Sequence, residues 1–332
     1  MSKISLYPCM IFDAICYLEK RTHDEKHLLK AQIDFISKIK DLTIGKIDNN
    51  CMGMSNLCLI LSTYTNNKNI EYYTLDDLIN LFDNIQDVSE VVREKTANEF
   101  IKSYMFPTLD YLTDSYAKKY ANDIKVLKEI GFDKLWKADL YHGINEAITS
   151  NLDYIKNFDV DELFANIQKM KNIDNISECS IYISFMSYPT AFTLYNNCFL
   201  FPIGSFVSLD LIAHELMHGF ASDELINEYL KYVSKNEYLT EKNKKLNEYS
   251  GNEEEFVMAA GYYLAYLSKI QSKDDYIKKL KHNRDCPLSI IIFDMLTKEE
   301  SVPVNYNDWL INKFKNRSFP ETDVEAYIDS IK

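Results

Sequence analysis

Residues 209–220 read Leu-Asp-Leu-Ile-Ala-His-Glu-Leu-Met-His-Gly-Phe. Apolar side chains surround two histidines and a glutamate, and Asp210 falls where a carboxylate suits the positive end of a helix dipole. The stretch therefore predicts a helix beginning near Leu209. Within it stands His-Glu-x-x-His, as His214, Glu215 and His218. Residues four apart lie one turn apart on one helix face, so both imidazoles can reach a single ion. Glu215 follows the first ligand and flanks that ion without binding it. From there it can take a proton from water and later pass it to a leaving amine. Buried His and Glu need partners, and a metal supplies one; hydrogen bonds inside the core are the plainer alternative.

Working upstream, Cys179–Tyr188 reads C-S-I-Y-I-S-F-M-S-Y, with Ile181, Ile183 and Phe185 in alternation. That pattern predicts a strand. Pro189 interrupts it, Ala191–Tyr195 continues it, Asn196-Asn197 supplies a turn, and Cys198–Phe201 returns. Because Pro is tolerated mainly at sheet edges, the expectation is an edge hairpin. An edge near Ser184–Tyr195 could pair with an extended peptide.

Working downstream, a catalytic zinc needs a third protein ligand. The sequence after His218 runs G-F-A-S-D-E-L, without a third His. His23, His27, His142 and His282 form no second metal-binding pair on an apolar helix. The better source is a predicted helix over Asn252–Ile270, which opens N-E-E-E-F-V-M-A-A. Acidic residues suit a helix start, which accounts for Glu253 and Glu254. Glu255 adjoins Phe256 and Val257 inside the apolar part, where a metal would settle its charge.

These residues carry a family likeness. The segment Ile181–Ile270 resembles the gluzincins, peptidases whose third zinc ligand is a Glu on a downstream helix. Glu255-Phe256-Val257 is similar to the corresponding helix in the catalytic domain of anthrax lethal factor and related bacterial zincins. That match implies Glu255 as third ligand, whereas the Glu-Glu pair of clostridial neurotoxin light chains would imply Glu254. The resemblance also implies a Tyr that steadies an oxyanion. Tyr249 is nearest to that role, one residue out of step, with Tyr262, Tyr263 and His282 as other positions. Ala259 stands where the likeness would place a second carboxylate, so support for the histidines would come from Glu254 or Asp223.

The rest of the chain sets the frame. Among 332 residues, 8 Gly and 7 Pro are few enough to argue for long helices. Thr74-Leu-Asp-Asp predicts a helix cap, and helical patterns follow over Ala97–Tyr104, Leu109–Ile130 and Val160–Met170. Leu28–Lys40, Ser289–Leu296 and Asp323–Ile331 also read as helices. The expected class is α+β and mainly helical: a helical N-terminal region over 1–175, then a zincin-like catalytic domain over 176–332 with a small sheet. The formal charge of −13 repels phosphate backbones, which argues against nucleic acid. No run of about 18 apolar residues predicts a membrane span. The opening MSKISLYPCMIFDAICYLEK is broken by Pro8 and Asp13 and does not read as a secretory signal. Seven dispersed Cys, none in C-x-x-C, fit reduced thiols, so the expected location is cytoplasmic.

The expectation is thus a zinc metallopeptidase holding one Zn²⁺ per chain through His214, His218 and Glu255, with Glu215 as general base and Tyr249 as oxyanion support, acting on a peptide or protein. A non-catalytic module binding peptides or proteins, and a zinc hydrolase of a non-peptide amide, are the alternatives.

Overall fold

The computed structural model describes residues 4–18, 30–40, 54–97, 99–176, 178–185, 191–203, 207–247, 251–282 and 285–331. The chain is mainly helical with one small mixed sheet. It divides into two units: Met1–Asp153 with Glu178–Phe206, and Tyr154–Ser177 with Val207–Lys332. A single boundary near residue 175 is the expectation from sequence; the observed division instead returns 178–206 to the first unit and gives 154–177 to the second.

The first unit begins with β1 (Ile4–Pro8) and α1 (Met10–Tyr17), followed by α2 (Lys30–Lys40), α3 (Met54–Thr65), α4 (Leu75–Asp83), α5 (Ile85–Lys95), α6 (Glu99–Tyr111), α7 (Asp114–Glu129), α8 (Phe132–Leu135) and α9 (Tyr141–Ile155), whose last two residues fall in the second unit. Thr74 caps α4 through a reciprocal box with Asp77, as its sequence predicts. The buried face of α4, Leu75, Leu78, Ile79 and Phe82, follows helical spacing.

The sheet adds β2 (Cys179–Ser184), β3 (Phe192–Thr193) and β4 (Cys198–Pro202), in the order β1-β2-β4-β3. β2 pairs in parallel with both β1 and β4, and β3 pairs antiparallel with β4. The strand at Cys179 is therefore interior and not an edge as expected from Pro189. Its nearly continuous burial fits a strand flanked on both sides. Residues 186–190, with Pro189, lie outside the described residues. The hairpin return does occur, between β3 and β4. Asn196 and Asn197 both adopt left-handed backbone there (φ 54° and 53°), a conformation Asn tolerates better than most residues. β1 lies in a region that the sequence pattern marks as mainly helical. Its partner lies at Cys179, and a pairing so distant in sequence leaves only a weak local trace. Asp13, fully buried on α1, accepts from Trp136 Nε1 and Ser184 Oγ, each at 2.6 Å.

The second unit holds α10 (Val160–Lys171), α11 (Leu209–Met217), α12 (Asp223–Val233), α13 (Glu237–Asn247), α14 (Glu254–Leu267), α15 (Lys273–His282), α16 (Pro287–Leu296), α17 (Tyr306–Lys315) and α18 (Val324–Ser330). α14 is its axis. Phe256, Val257, Ala259, Ala260, Gly261, Tyr263, Leu264 and Ala265 are all buried, so apolar surface faces nearly all round the helix, and α10, α11 and α16 pack on it. Phe256, Tyr229 and Phe314 meet edge to face at one end. Among the described residues the free cysteines are buried, and no helix is long and apolar enough to cross a membrane.

Candidate metal centre

α11 carries His214 and Glu215 in its last turns and stops at Met217. His218 has φ −54° and ψ 149°, which is outside helical geometry. The one-turn spacing expected of the two histidines thus holds only up to the helix end. Gly219 follows with φ 77°, a conformation that costs Gly little, and turns the chain away. Lys171 reaches in from α10 and donates to the Leu216 and His218 carbonyls, both at 2.8 Å. These are carbonyls that a helix end would otherwise leave unpaired.

The third group comes from α14. A Cβ added at Gly261 would sit 3.0 Å from His214 N, Cα and Cβ, so α14 can lie this close to α11 only with Gly there. Seven residues is almost two helical turns, so Glu254 lies on the same face of α14 as Gly261. It therefore points at the histidines. Glu254 Oε1 lies 3.4 Å from His214 Nε2, and its Oε2 lies 3.9 Å from His218 Nε2. One ligand atom from each of His214, His218 and Glu254 falls within 4.8 Å of the others. The imidazole centroids are 5.0 Å apart.

Glu255, expected as the third ligand, is not part of this group. It is rotated about 100° around α14 from Glu254, and its carboxylate accepts from Ser289 N on α16 at 2.8 Å. Its burial inside the apolar part of the helix is as the sequence suggests; the partner is a helix N-terminus. Glu215 is 8 % exposed and adjoins His214 in the chain. Tyr249 lies outside the described residues, as do His23 and His27. Tyr263 is buried, and Tyr262 stacks on Tyr276 with Lys279 above both rings. Asp223 is exposed in the first turn of α12. The carboxylate beside the His218 ring is instead Glu253, whose Oε2 is 3.4 Å from Nδ1. From the sequence alone Glu253 has only a helix-start role. Gly261 was the signal that could have fixed the phase of the three glutamates.

The electrostatics follow from burial of many acids in one place. Burial, with the neighbouring His218, pushes His214 down to about 3, so its ring is neutral and keeps a lone pair at neutral pH. Burial also opposes charge on His218, but the Glu253 hydrogen bond and the charges of Glu215, Glu253 and Glu254 outweigh it and raise its pKa. Burial lifts Glu254 to about 7, with Glu215 and Glu253 adding to the rise and His218 opposing it. Glu255 is lifted to about 8 by burial, against the hydrogen bonds from the Ser289 and Leu288 backbone. Glu253 goes the other way. Burial acts to raise it, and His218 together with the Gly219 and Ala221 amides brings it below its usual range.

The donor set suits a divalent cation: two imidazole nitrogens and one carboxylate oxygen, half-buried, with further acidic groups close by. A cation here would favour the ionised form of Glu254, which burial opposes. Compared with known proteins, the chain matches no family model, no curated protein and no solved structure.

Proposed function

We propose that this chain is a zinc-dependent peptidase of the zincin type, with His214, His218 and Glu254 holding the metal and Glu215 acting as general base. The observation that carries this reading is the convergence of those three side chains, from α11, its end and α14, beside a buried glutamate that follows the first histidine. Zinc held there supplies Lewis acidity, lowering the pKa of water and polarising a carbonyl. Glu215 receives the proton lost by the attacking water and returns it to the leaving amine. A general base has no purpose in a purely structural metal site, which favours hydrolysis over a silent binding module. Two imidazoles and a carboxylate favour zinc over harder cations, which prefer all-oxygen shells.

The test is metal content and hydrolysis measured together. Wild type is expected to hold about one zinc per chain and to cleave members of a peptide library, consistent with a three-ligand site. Glu215→Gln keeps the shape of the side chain but removes the base, so it should retain zinc and lose turnover. Turnover retained in that variant, or no zinc in wild type after supplementation, overturns the proposal.

A further inference from the structure

His218 leaves the helix before it reaches the site, so the α11 hydrogen-bond ladder does not fix its ring. We propose that Glu253 is the positioning residue for His218, holding both the imidazole and the chain that follows it. Glu253 is 5 % exposed, and its carboxylate is surrounded by donors. Oε2 accepts from Gly219 N at 3.1 Å and faces His218 Nδ1 at 3.4 Å. Oε1 accepts from Phe220 N at 3.0 Å and Ala221 N at 3.1 Å. Three successive amides and one ring nitrogen thus converge on a single side chain.

The chemistry then selects one tautomer. An ionised carboxylate only accepts, so Nδ1 must carry the hydrogen. The lone pair of the neutral ring is left on Nε2, which is the nitrogen turned towards Glu254. Phe220 reinforces the arrangement, since its ring stacks on Tyr306 at 5.1 Å and closes the turn after Gly219. Glu253 and Glu254 are adjacent in sequence yet serve opposite nitrogens of one imidazole. Glu253 prepares the ligand; Glu254 joins it. The inference rests on reading His214, His218 and Glu254 as a metal site, but the tautomer can be read without a metal.

Two measurements test it on the whole chain. Zinc affinity is measured by chelator competition for wild type, Glu253→Gln and Glu253→Ala. The ¹⁵N shifts of the His218 ring are recorded on metal-free protein in alkaline buffer, where the imidazole is neutral. Wild type should show Nδ1–H as its single tautomer. Both variants should bind zinc about 10- to 100-fold more weakly, the usual effect of losing such a partner, and should show mixed His218 tautomers. A purely structural Glu253 would lower the melting temperature but leave the tautomer alone. Zinc binding in Glu253→Gln within about twofold of wild type, or an unchanged tautomer there, overturns the inference. So does an Nε2–H ring in wild type, a result that stands even where the variants fail to fold. If wild type takes up no zinc, the peptidase reading fails, while the tautomer comparison still decides the role of Glu253.

Discussion

Three successive glutamates in one helical turn have three different roles. Glu253 binds backbone amides and faces Nδ1 of His218, Glu254 faces the Nε2 atoms of both histidines, and Glu255 accepts from the start of α16. Composition cannot separate them, because each is the same residue type within four positions of the same helix start. Rotation of about 100° per residue separates them completely. A direct consequence concerns metal content. Glu254→Ala should lose most bound zinc, whereas Glu255→Ala should retain close to the wild-type amount; metal analysis of the purified variants decides. The reverse pattern would restore Glu255 as ligand. His214 and His218 are legible in the sequence as a pair because residues four apart share a helix face, and they do converge with Glu254 in the fold. The role of Glu253 is not legible there, because its value lies in four donors that the fold brings to it.

At the scale of elements, the site depends on how closely α14 lies against α11. Gly261 makes that approach possible, with the His214 backbone 3.0 Å from where a Cβ would be. Gly261→Ala improves helix propensity but must push the two helices apart. Overpacking of this kind costs about 1 to 3 kcal/mol, and the same shift should draw Glu254 away from the histidines. Thermal melting and zinc competition should therefore worsen together; a stabilised variant with wild-type zinc affinity would mean the helices part without cost. The end of α11 makes a second test. Lys171 is a half-buried lysine whose pKa falls to about 8 because desolvation outweighs the Glu253 charge. Its two bonds to the Leu216 and His218 carbonyls are made at the cost of desolvating an ammonium. Lys171→Met keeps the stem and removes the donors, leaving both carbonyls without this partner. The expected loss is about 1 to 3 kcal/mol in denaturant unfolding. The sequence predicts α11 from its start near Leu209 but carries no sign of its stop one residue before His218, since that end is held by Lys171 and Glu253 from elsewhere in the chain.

Across the whole molecule, stability should bear the mark of its charged residues. Asp294 on α16 is 5 % exposed and is bound by Lys273 at 3.0 Å and Lys298 at 2.5 Å. Burial acts to raise its pKa, but the two lysines win and hold it below the ordinary 3.8. A carboxylate depressed in the folded state stabilises fully above its ordinary value and loses that contribution as pH falls through the folded one. Asp294→Asn should therefore be less stable than wild type near neutral pH, by about 1 kcal/mol for the lost charged bonds. The gap should narrow below the ordinary carboxylate range, as followed by denaturant unfolding across acid pH. A gap that is constant with pH would assign the effect to packing.

What the sequence by itself determined was everything with a short period. The helical class, the Thr74 cap, the strands at Cys179 and Cys198, the turn at Asn196-Asn197 and the His-Glu-x-x-His segment all declare themselves within a few residues. Only the tertiary structure decided that β1 pairs with β2 across more than 170 residues, that β2 is interior, and that α14 presents Glu254 and not Glu255 to the histidines. The physical reason is common to all three. Local periodicity fixes which side of an element is apolar, but which neighbour covers that side, and in what rotational phase, depends on packing between segments far apart in the chain.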